Sequence, residues 1–445
     1  MESIKLNFKN TDGKILYQNA VNNGPTNPGV REVPTNFDAY KTAGISYARN
    51  HDASFYNGYG GEFTVDVHRI FRNFDADEND PASYIFEPTD KYLQNTVNAG
   101  TKIFYRLGAS IEHGYKFGTY PPKDFLKWAR ICEHIIRHYN EGWANGFEFD
   151  IEYWEIWNEP DCKNADGSNP CWQGTEQEFI DFYCTASTYL KEKFPNLKIG
   201  GPAFMSISSR NFVEAFLTQV SEKNAPLDFF SFHVYTREIK HFGETTDTVR
   251  EILHNHGFYN TELILNEWNY IKGWRGELWR YSLDMERGLK GSSFIASAMS
   301  ECQKHKLDML MYYDARPCGM NGMFEHETFK PLKGYYPFVA FRDLLDLGTY
   351  IKPDGTPEDI YYCGATDGKN HAIMVSHYND DDETDAKTVT IECENASGNL
   401  KAEYYILDEN HDLELVREDF FTTEKFNIQL KMNLFTTYLI KFTEC

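Results

Sequence analysis

The sequence has no C-x-x-C pair, although nine cysteines are spread along its 445 residues. Because their number is odd and their spacing irregular, neither a zinc site built from paired cysteines nor a complete disulfide framework is indicated. We expect most of the thiols to be buried and free. Cys162 and Cys171 bracket a polar loop, and a disulfide between them is the alternative for an exported protein.

Positive charge is also scarce, since 44 Lys and Arg stand against 67 Asp and Glu, for a formal net charge of −23. Long-range repulsion therefore disfavours nucleic acid and anionic membranes as partners. No apolar run is long enough to span a bilayer, and residues 1–6 alternate like a strand instead of forming a signal peptide. We expect a cytoplasmic protein, or a secreted one if a signal sequence was trimmed.

From about residue 36 to 340 the sequence alternates short apolar runs with longer amphipathic segments, which is typical of a parallel sheet with crossover helices. Eight strand candidates can be counted, at 14–20, 44–49, 102–107, 153–158, 198–202, 228–233, 262–266 and 309–313. Eight parallel strands predict a closed (β/α)8 barrel of the α/β class.

Two helices of the predicted barrel have clear sequence signals. Apolar residues recur at three- and four-residue spacing from Phe125 to Tyr139, which predicts one buried face. Thr175 and Glu178 have the Ser/Thr-x-x-Glu spacing that can cap the first turn of a helix.

After about residue 345 the sequence changes to β-branched and aromatic segments separated by clusters of Asp, Asn and Gly. This pattern predicts an accessory β-sandwich. The run 3–9 and the turn 10–13 have the same character, so we expect them to join that domain. The predicted division is 1–13 for the N-terminal strands, 14–344 for the catalytic barrel and 345–445 for the β-sandwich.

Two of the apolar runs end in a glutamate beside an aromatic residue and an amide: 153–159 ends in Glu159 and 262–268 contains Glu267. Burying a carboxylate is costly unless it is paired or hydrogen-bonded, so such a strand usually delivers the glutamate to a place of use. The alternative is a structural glutamate in an ion pair. Two strands of the same design favour a catalytic carboxylate pair.

Because the carboxyl ends of barrel strands form the active face, the residues that close each run should share one pocket. The candidates are Arg49, His51, Asp52, Asn158, Glu159, His233, Tyr235, Glu267, Trp268 and Tyr313. No H-E-x-x-H spacing accompanies the histidines, which disfavours a metal site. Each histidine has the alternative of being a buried core residue.

A carboxylate pair among amides, imidazoles and aromatic rings suits the hydrolysis of a glycoside. One carboxylic acid protonates the leaving oxygen, while the other carboxylate stabilises the cationic sugar. We expect Glu159, in its aromatic surroundings, to be the acid, and Glu267 to stay ionised if Arg49 or Tyr235 donates to it. A separation of about 5 Å would indicate retention through a covalent intermediate.

The segments 157–160, 231–235 and 265–268 resemble the large clan of (β/α)8 retaining glycosidases, and within it glycoside hydrolase family 39. That family contains β-xylosidases and α-L-iduronidases, and the resemblance extends over essentially the whole chain. It implies that Glu159 is the general acid/base, Glu267 the nucleophile and Asn158 the partner of the sugar 2-hydroxyl. The positions that match the pocket lining of the clan are Arg49, His51, His233 and Tyr235.

We therefore predict a retaining, exo-acting β-xylosidase that releases xylose from short xylo-oligosaccharides in xylan degradation and needs no metal or organic cofactor. The enzymatic alternatives are an α-L-iduronidase, an α-L-arabinosidase and a β-glucosidase. An alternative from another class is a carbohydrate-binding protein on an inactive barrel. The sequence leaves open exo or endo action and the oligomeric state, a homo-oligomer included.

Overall fold

The computed structural model describes residues 2–26, 35–51, 64–110, 118–396 and 398–445. The strands within these ranges are β1 (Glu2–Asn7), β2 (Thr11–Lys14), β3 (Tyr17–Asn22), β4 (Tyr47–Arg49), β5 (Lys102–Leu107), β6 (Tyr153–Ile156), β7 (Lys198–Phe204), β8 (Phe229–Thr236), β9 (Glu262–Tyr270), β10 (Met309–Tyr312), β11 (Thr349–Ile351), β12 (Ile360–Thr366), β13 (His371–His377), β14 (Lys387–Glu394), β15 (Leu400–Leu407), β16 (Asp412–Phe421), β17 (Lys425–Met432) and β18 (Thr437–Glu444). The α-helices are α1 (Phe37–Ala43), α2 (Val67–Ile70), α3 (Glu87–Asn98), α4 (Phe125–Asn140), α5 (Glu176–Lys193), α6 (Arg210–Glu222), α7 (Lys240–Asn255), α8 (Gly276–Glu286), α9 (Leu289–Lys304) and α10 (Tyr336–Leu347).

Strands β3 to β10 form a closed barrel in chain order, and β10 pairs in parallel with β3 to complete it. These strands overlap the eight predicted runs, which confirms the predicted barrel. The first strand begins later than predicted, at Tyr17, because Lys14 ends the separate strand β2.

The part of the barrel interior nearer the amino ends of the strands is filled by apolar side chains that point inward. This inner layer consists of Ala20, Tyr47, Phe104, Tyr153, Phe229, Ile264, Met309 and Met311. Most of these residues lie near the starts of their strands. The polar residues that follow them in the strands therefore lie at the carboxyl end of the barrel, next to this apolar layer.

The helices pack their apolar faces on the outside of the barrel. Helix α4 buries the face predicted from its periodicity, and its Trp128 ring meets Phe182 of α5 at 4.7 Å between centroids. Helix α5 begins with the predicted capping box: Glu178 N–H donates to Thr175 Oγ1 at 3.1 Å, and Thr175 N–H donates to Glu178 Oε2 at 2.8 Å. None of the described helices is long and apolar enough to cross a membrane.

The remaining strands build two facing sheets, one of three strands in the order β1-β14-β17 and one of seven in the order β16-β15-β18-β13-β12-β11-β2. Their inner faces share one apolar core, to which β1 contributes Ile4 and Leu6. This arrangement confirms the predicted β-sandwich formed from both ends of the chain. The domain boundaries after residues 13 and 344 stay predictions; β2 and α10 run across them.

Candidate active site

Arg49, the last residue of β4, is fully buried at the carboxyl end of the barrel. Its guanidinium donates to four side chains, which are Glu155 Oε2 at 2.7 Å, Glu267 Oε1 at 2.8 Å, Asn158 Oδ1 at 2.6 Å and Asn22 Oδ1 at 3.2 Å. Burial alone would lower the pKa of Arg49, but the carboxylates of Glu155 and Glu267 outweigh it and hold the pKa above its usual value. Arg49 therefore stays charged and links strands that are far apart in the sequence.

Glu267 is buried and is surrounded by donors. Besides Arg49, the Tyr235 hydroxyl donates to its Oε2 at 2.9 Å. His51 Nε2 lies 3.4 Å from Oε1, and His233 Nδ1 lies 3.6 Å from Oε2. Donors to both oxygens stabilise the carboxylate anion and hold it in one orientation.

A β-bulge in β9 turns Glu267 into the barrel. Phe232 of β8 pairs with Leu265, but the next residue, His233, pairs with Glu267, so Asn266 is the extra residue of the bulged strand. A bulge of this kind reverses the alternation of side chains beyond it. Asn266 and Glu267 therefore both face the barrel interior, where each bonds to a buried side chain.

The same bulge sends Trp268 to the outside of the barrel, contrary to the predicted role of Trp268 in substrate binding. Its fully buried ring packs between the barrel and the helices, with centroids 5.5 Å from Phe242, 6.0 Å from Phe294 and 5.4 Å from Tyr312. The prediction failed because it placed every residue that closes the strand in the pocket, whereas Glu267 and Trp268 lie on opposite faces of β9. Trp268 is a core residue.

Glu159 lies on a sharp turn that follows β6. Trp157 has φ 78° and Glu159 has φ 47°, both in the left-handed region, which costs about 1–3 kcal/mol for such residues. Backbone hydrogen bonds hold the turn: Trp157 N–H donates to Leu107 O at 2.7 Å, and Glu159 N–H donates to Ala203 O at 2.9 Å. Strain held by neighbouring strands in this way is characteristic of functional sites.

The Glu159 carboxylate has different surroundings from that of Glu267. His233 Nδ1 lies 2.9 Å from its Oε1, and the Cys171 thiol lies 3.7 Å from its Oε2. Its side chain is 14% exposed, against 6% for Glu267. One oxygen of Glu159 and one of Glu267 lie within 4.8 Å of each other. The two carboxylates thus share one pocket in unequal environments.

The model of the glycosyl hydrolases family 39 matches residues 38–275, more than half of the chain. The chain belongs to this family.

Named relatives resemble the chain over part of its length. It is 27% identical over 210 residues to a β-xylosidase of Geobacillus stearothermophilus and 26% identical over 209 residues to a β-xylosidase of Caldicellulosiruptor saccharolyticus. Each match covers 44% of this chain and 38% of the relative, so the similar region spans well under half of those enzymes.

Solved structures share the whole fold. A glucosidase from Croceicoccus marinus aligns with a TM-score of 0.79 at 21% identity, covering 100% of this chain and 99% of its own. A GH39 enzyme from Xanthomonas axonopodis pv. citri aligns with a TM-score of 0.70 at 13% identity, covering 100% and 97%. At these identities the likeness shows that the chain has their fold.

Sequence reasoning missed Glu155, the buried partner of Arg49 on β6. The carboxylate is fully buried and accepts from Arg49, from Ser231 Oγ at 2.6 Å and from Asn266 Nδ2 at 2.6 Å. The signal was present, because Glu155 follows Tyr153 by two residues in a strand and therefore points to the same inner side. Glu155 positions Arg49 and, through it, Glu267 and Asn158.

Aromatic rings line one side of the pocket. The Tyr313 ring lies 6.4 Å from that of Tyr235 and 6.3 Å from that of His51, so Tyr313 is in the predicted place. Trp274, in the loop after β9, was not predicted. The residue is 54% exposed, and its ring lies 5.1 Å from that of Tyr235 and stacks on Trp279 at 5.5 Å.

The structure thus brings together every predicted site residue that it describes except Trp268. Asp52 lies outside the described residues. Cys162 and Cys171 are both free thiols in the structure.

Proposed function

We propose that this family 39 protein is a glycosidase that cleaves a glycoside by double displacement with retention of configuration. The observation that carries the proposal is the close approach of Glu159 and Glu267, with oxygens within 4.8 Å of each other. Retaining glycosidases hold their carboxyl groups about 5–5.5 Å apart, whereas inverting enzymes need roughly 6.5–9.5 Å to admit a water molecule.

In the first step Glu159 protonates the glycosidic oxygen while Glu267 attacks the anomeric carbon, so that the leaving alcohol departs and a glycosyl-enzyme ester forms. In the second step Glu159 takes a proton from water, and the resulting attack breaks the ester with a second inversion. Glu267 suits the nucleophile because Arg49 and Tyr235 hold it as an oriented anion. Glu159 suits the acid because it is the more exposed carboxylate and the Cys171 thiol, a weak donor, faces its Oε2.

Asn158 is proposed to bind the sugar 2-hydroxyl. Its amide oxygen accepts from Arg49 Nη2 at 2.6 Å, which leaves the amide NH2 as the donor for a substrate hydroxyl. A hydrogen bond to this hydroxyl strengthens as the sugar becomes cationic.

As substrate we propose short β-xylo-oligosaccharides that are cleaved from one end. The similarity to two β-xylosidases supports the sugar, although it covers less than half of the chain. The exposed Trp274 ring beside Tyr235 offers an apolar face for a pyranose ring. An α-L-iduronidase is less well supported, because Arg49 is already engaged by four protein acceptors and a uronate would need another cation. α-L-Arabinosidase and β-glucosidase activities are further alternatives.

The test is the release of nitrophenol from β-xyloside, β-glucoside, α-L-arabinoside and α-L-iduronide substrates. We expect turnover selective for the xyloside, with the first product seen by NMR having the β-configuration. Glu267→Ala should abolish turnover. Glu159→Ala should be slow on poor leaving groups and regain activity with azide, which needs no general base.

Glu222→Ala is the matched control, because this glutamate is exposed on α6. Full activity of Glu267→Ala would refute the two-carboxylate assignment, and a first product of inverted configuration would refute retention. Binding of xylo-oligosaccharides without turnover of any substrate by the wild type would favour an inactive carbohydrate-binding barrel.

A further inference from the structure

Two cysteine thiols lie beside Glu159, and neither carries out a step of the proposed mechanism. The Cys162 N–H donates to Glu159 O at 3.1 Å, so the chain turns back at once after the strand. The Sγ atoms of Cys162 and Cys171 and one carboxylate oxygen of Glu159 all lie within 4.8 Å of one another. Cys171 is buried and Cys162 is partly exposed. The cluster therefore borders the catalytic pocket.

The loop around Cys171 is held by hydrogen bonds. Asn169 Oδ1 accepts from the N–H groups of Cys171 and Trp172, both at 2.8 Å, and Asn169 Nδ2 donates to Pro160 O at 2.7 Å. The Trp157 indole N–H donates to Cys171 O at 2.9 Å. The position of Cys171 is thus set by the same turn that sets Glu159.

Two sulfur ligands and one carboxylate oxygen match the preference of Zn²⁺ and of the softer Cd²⁺. Three protein ligands leave the fourth position of a tetrahedral ion to water, as in open zinc sites. The nearby Glu267 carboxylate and the net charge of −23 favour a cation over an anion. The other described group of close ligand atoms, Glu159 with His233 and Glu267, contains no sulfur.

We propose that Cys162, Cys171 and Glu159 form a binding site for a thiophilic divalent cation, and that a bound cation stops hydrolysis. On binding, each thiol releases its proton to solvent as its sulfur bonds to the ion, without oxidation. The cation then holds the Glu159 oxygen that would carry the catalytic proton. This inhibition rests on the proposed role of Glu159; the site itself does not.

Cd²⁺ is the probe, because Cd²⁺–thiolate bonds absorb in the ultraviolet and report the sulfur ligands directly. The protein is reduced with a phosphine, freed of metal and titrated with Cd²⁺, and absorption and nitrophenol release are followed in parallel. We expect the thiolate band to saturate at one ion per chain while turnover falls at least tenfold. A chelator should reverse both changes.

Cys162→Ser tests the location, and Cys445→Ser, which alters the exposed terminal thiol, is the matched control. For each variant, inhibition is expressed relative to its own metal-free rate. Loss of a direct ligand should raise the half-saturating Cd²⁺ concentration by at least the roughly 10–100-fold that loss of an outer partner costs. Cys445→Ser should titrate like the wild type.

An unchanged band and unchanged inhibition in Cys162→Ser would overturn the site. If the thiolate band saturates and depends on Cys162 but turnover stays unchanged, the proposed inhibition is refuted. A protein that shows this band but never hydrolyses a glycoside without metal would support the cation site and refute the proposed hydrolysis instead, so the two failures can be told apart.

Discussion

At the scale of single residues, the pocket depends on Arg49, because its guanidinium holds Glu267, Asn158, Glu155 and Asn22 together. A guanidinium is planar and carries five fixed N–H donors, so it can donate to four acceptors at once. A lysine ammonium has only three donors and cannot replace it. Because Arg49 is fully buried, bulk water cannot take its place as the hydrogen-bond donor to these acceptors if it is removed.

We expect Arg49→Lys to lower kcat/KM by roughly 10³-fold, since breaking a buried ion pair costs about 3–5 kcal/mol. Melting temperature should fall as well, because Glu155 loses a partner in the core. Arg210→Lys is the matched control, as Arg210 is exposed and pairs only with Glu214 one helical turn away among the described residues. Near-normal kinetics for Arg49→Lys would show that Glu267 does not need this donor.

Tyr235→Phe removes the hydroxyl that donates to Glu267 Oε2 at 2.9 Å. Burial and the Glu267 carboxylate raise the pKa of Tyr235 well above its usual value, so the hydroxyl keeps its proton and remains a donor across the neutral range. Hydrogen bonds to charged groups contribute about 1.5–3 kcal/mol, so kcat/KM should fall roughly 10- to 100-fold. Tyr259→Phe is the control and should have no effect, because Tyr259 is 70% exposed. Steady-state kinetics measure this effect. A fall in kcat/KM of less than about threefold in Tyr235→Phe would contradict the role assigned to Tyr235.

At the scale of elements, the carboxyl ends of β6, β8 and β9 place Glu159 and Glu267 together, each in its own way. Strand β8 alternates regularly, so Ser231, His233 and Tyr235 all face inward and bond to Glu155, Glu159 and Glu267. Strand β9 needs its bulge and β6 needs a turn with positive φ to direct their glutamates into the same space. The helices outside hold these strand ends in place.

Thr175→Ala should destabilise the protein by about 1 kcal/mol, because it removes the N-terminal cap of α5. Thr188→Ala is the matched control, since Thr188 is exposed within the same helix and alanine is the better helix former there. Urea unfolding followed by circular dichroism measures both. Equal stabilities of the two variants would mean that the capping box contributes nothing to the folded state.

At the scale of the whole molecule, Asp380 joins the β-sandwich to the barrel. It lies between β13 and β14 and accepts from Tyr270 at 2.6 Å, while Lys290 and Lys272 lie at 3.0 Å and Arg237 at 3.4 Å. Burial opposes its charge, but the hydrogen bonds from Tyr270, Lys290 and Lys272 outweigh it and lower the pKa of Asp380 below its usual value. The contact therefore contributes to stability only while Asp380 is ionised.

The lowered pKa defines a pH window. Asp380 stabilises the fold fully above the unfolded pKa of about 3.9, and this contribution is lost as the pH falls through the folded value. Asp380→Asn should therefore destabilise the protein by roughly 1–3 kcal/mol at pH 7, because the buried Lys290 loses a charged partner, and by less near pH 3. Asp381→Asn, at the exposed neighbouring position, is the control. Thermal unfolding of the wild type and of Asp380→Asn at the two pH values measures the loss of stability. An equal loss at both pH values would contradict the predicted dependence on the ionisation of Asp380.

Local patterns determined much of this molecule. The alternation of apolar runs and amphipathic segments predicted the barrel, the Thr175–Glu178 spacing predicted the cap of α5, and the motifs around Glu159 and Glu267 identified the family. These features were readable because side-chain periodicity and capping act between residues a few positions apart.

The tertiary structure decided what depends on register between distant strands. One extra residue in β9 faces Glu267 inward and Trp268 outward, and no pattern within that strand announces it. The approach of Glu159 to Glu267, like the contact of Cys171 with Glu159, exists only once the barrel has closed. The sequence alone thus specified which chemical groups are present, and the closed barrel alone specified their distances, since a one-residue shift in strand pairing turns a side chain to the opposite face.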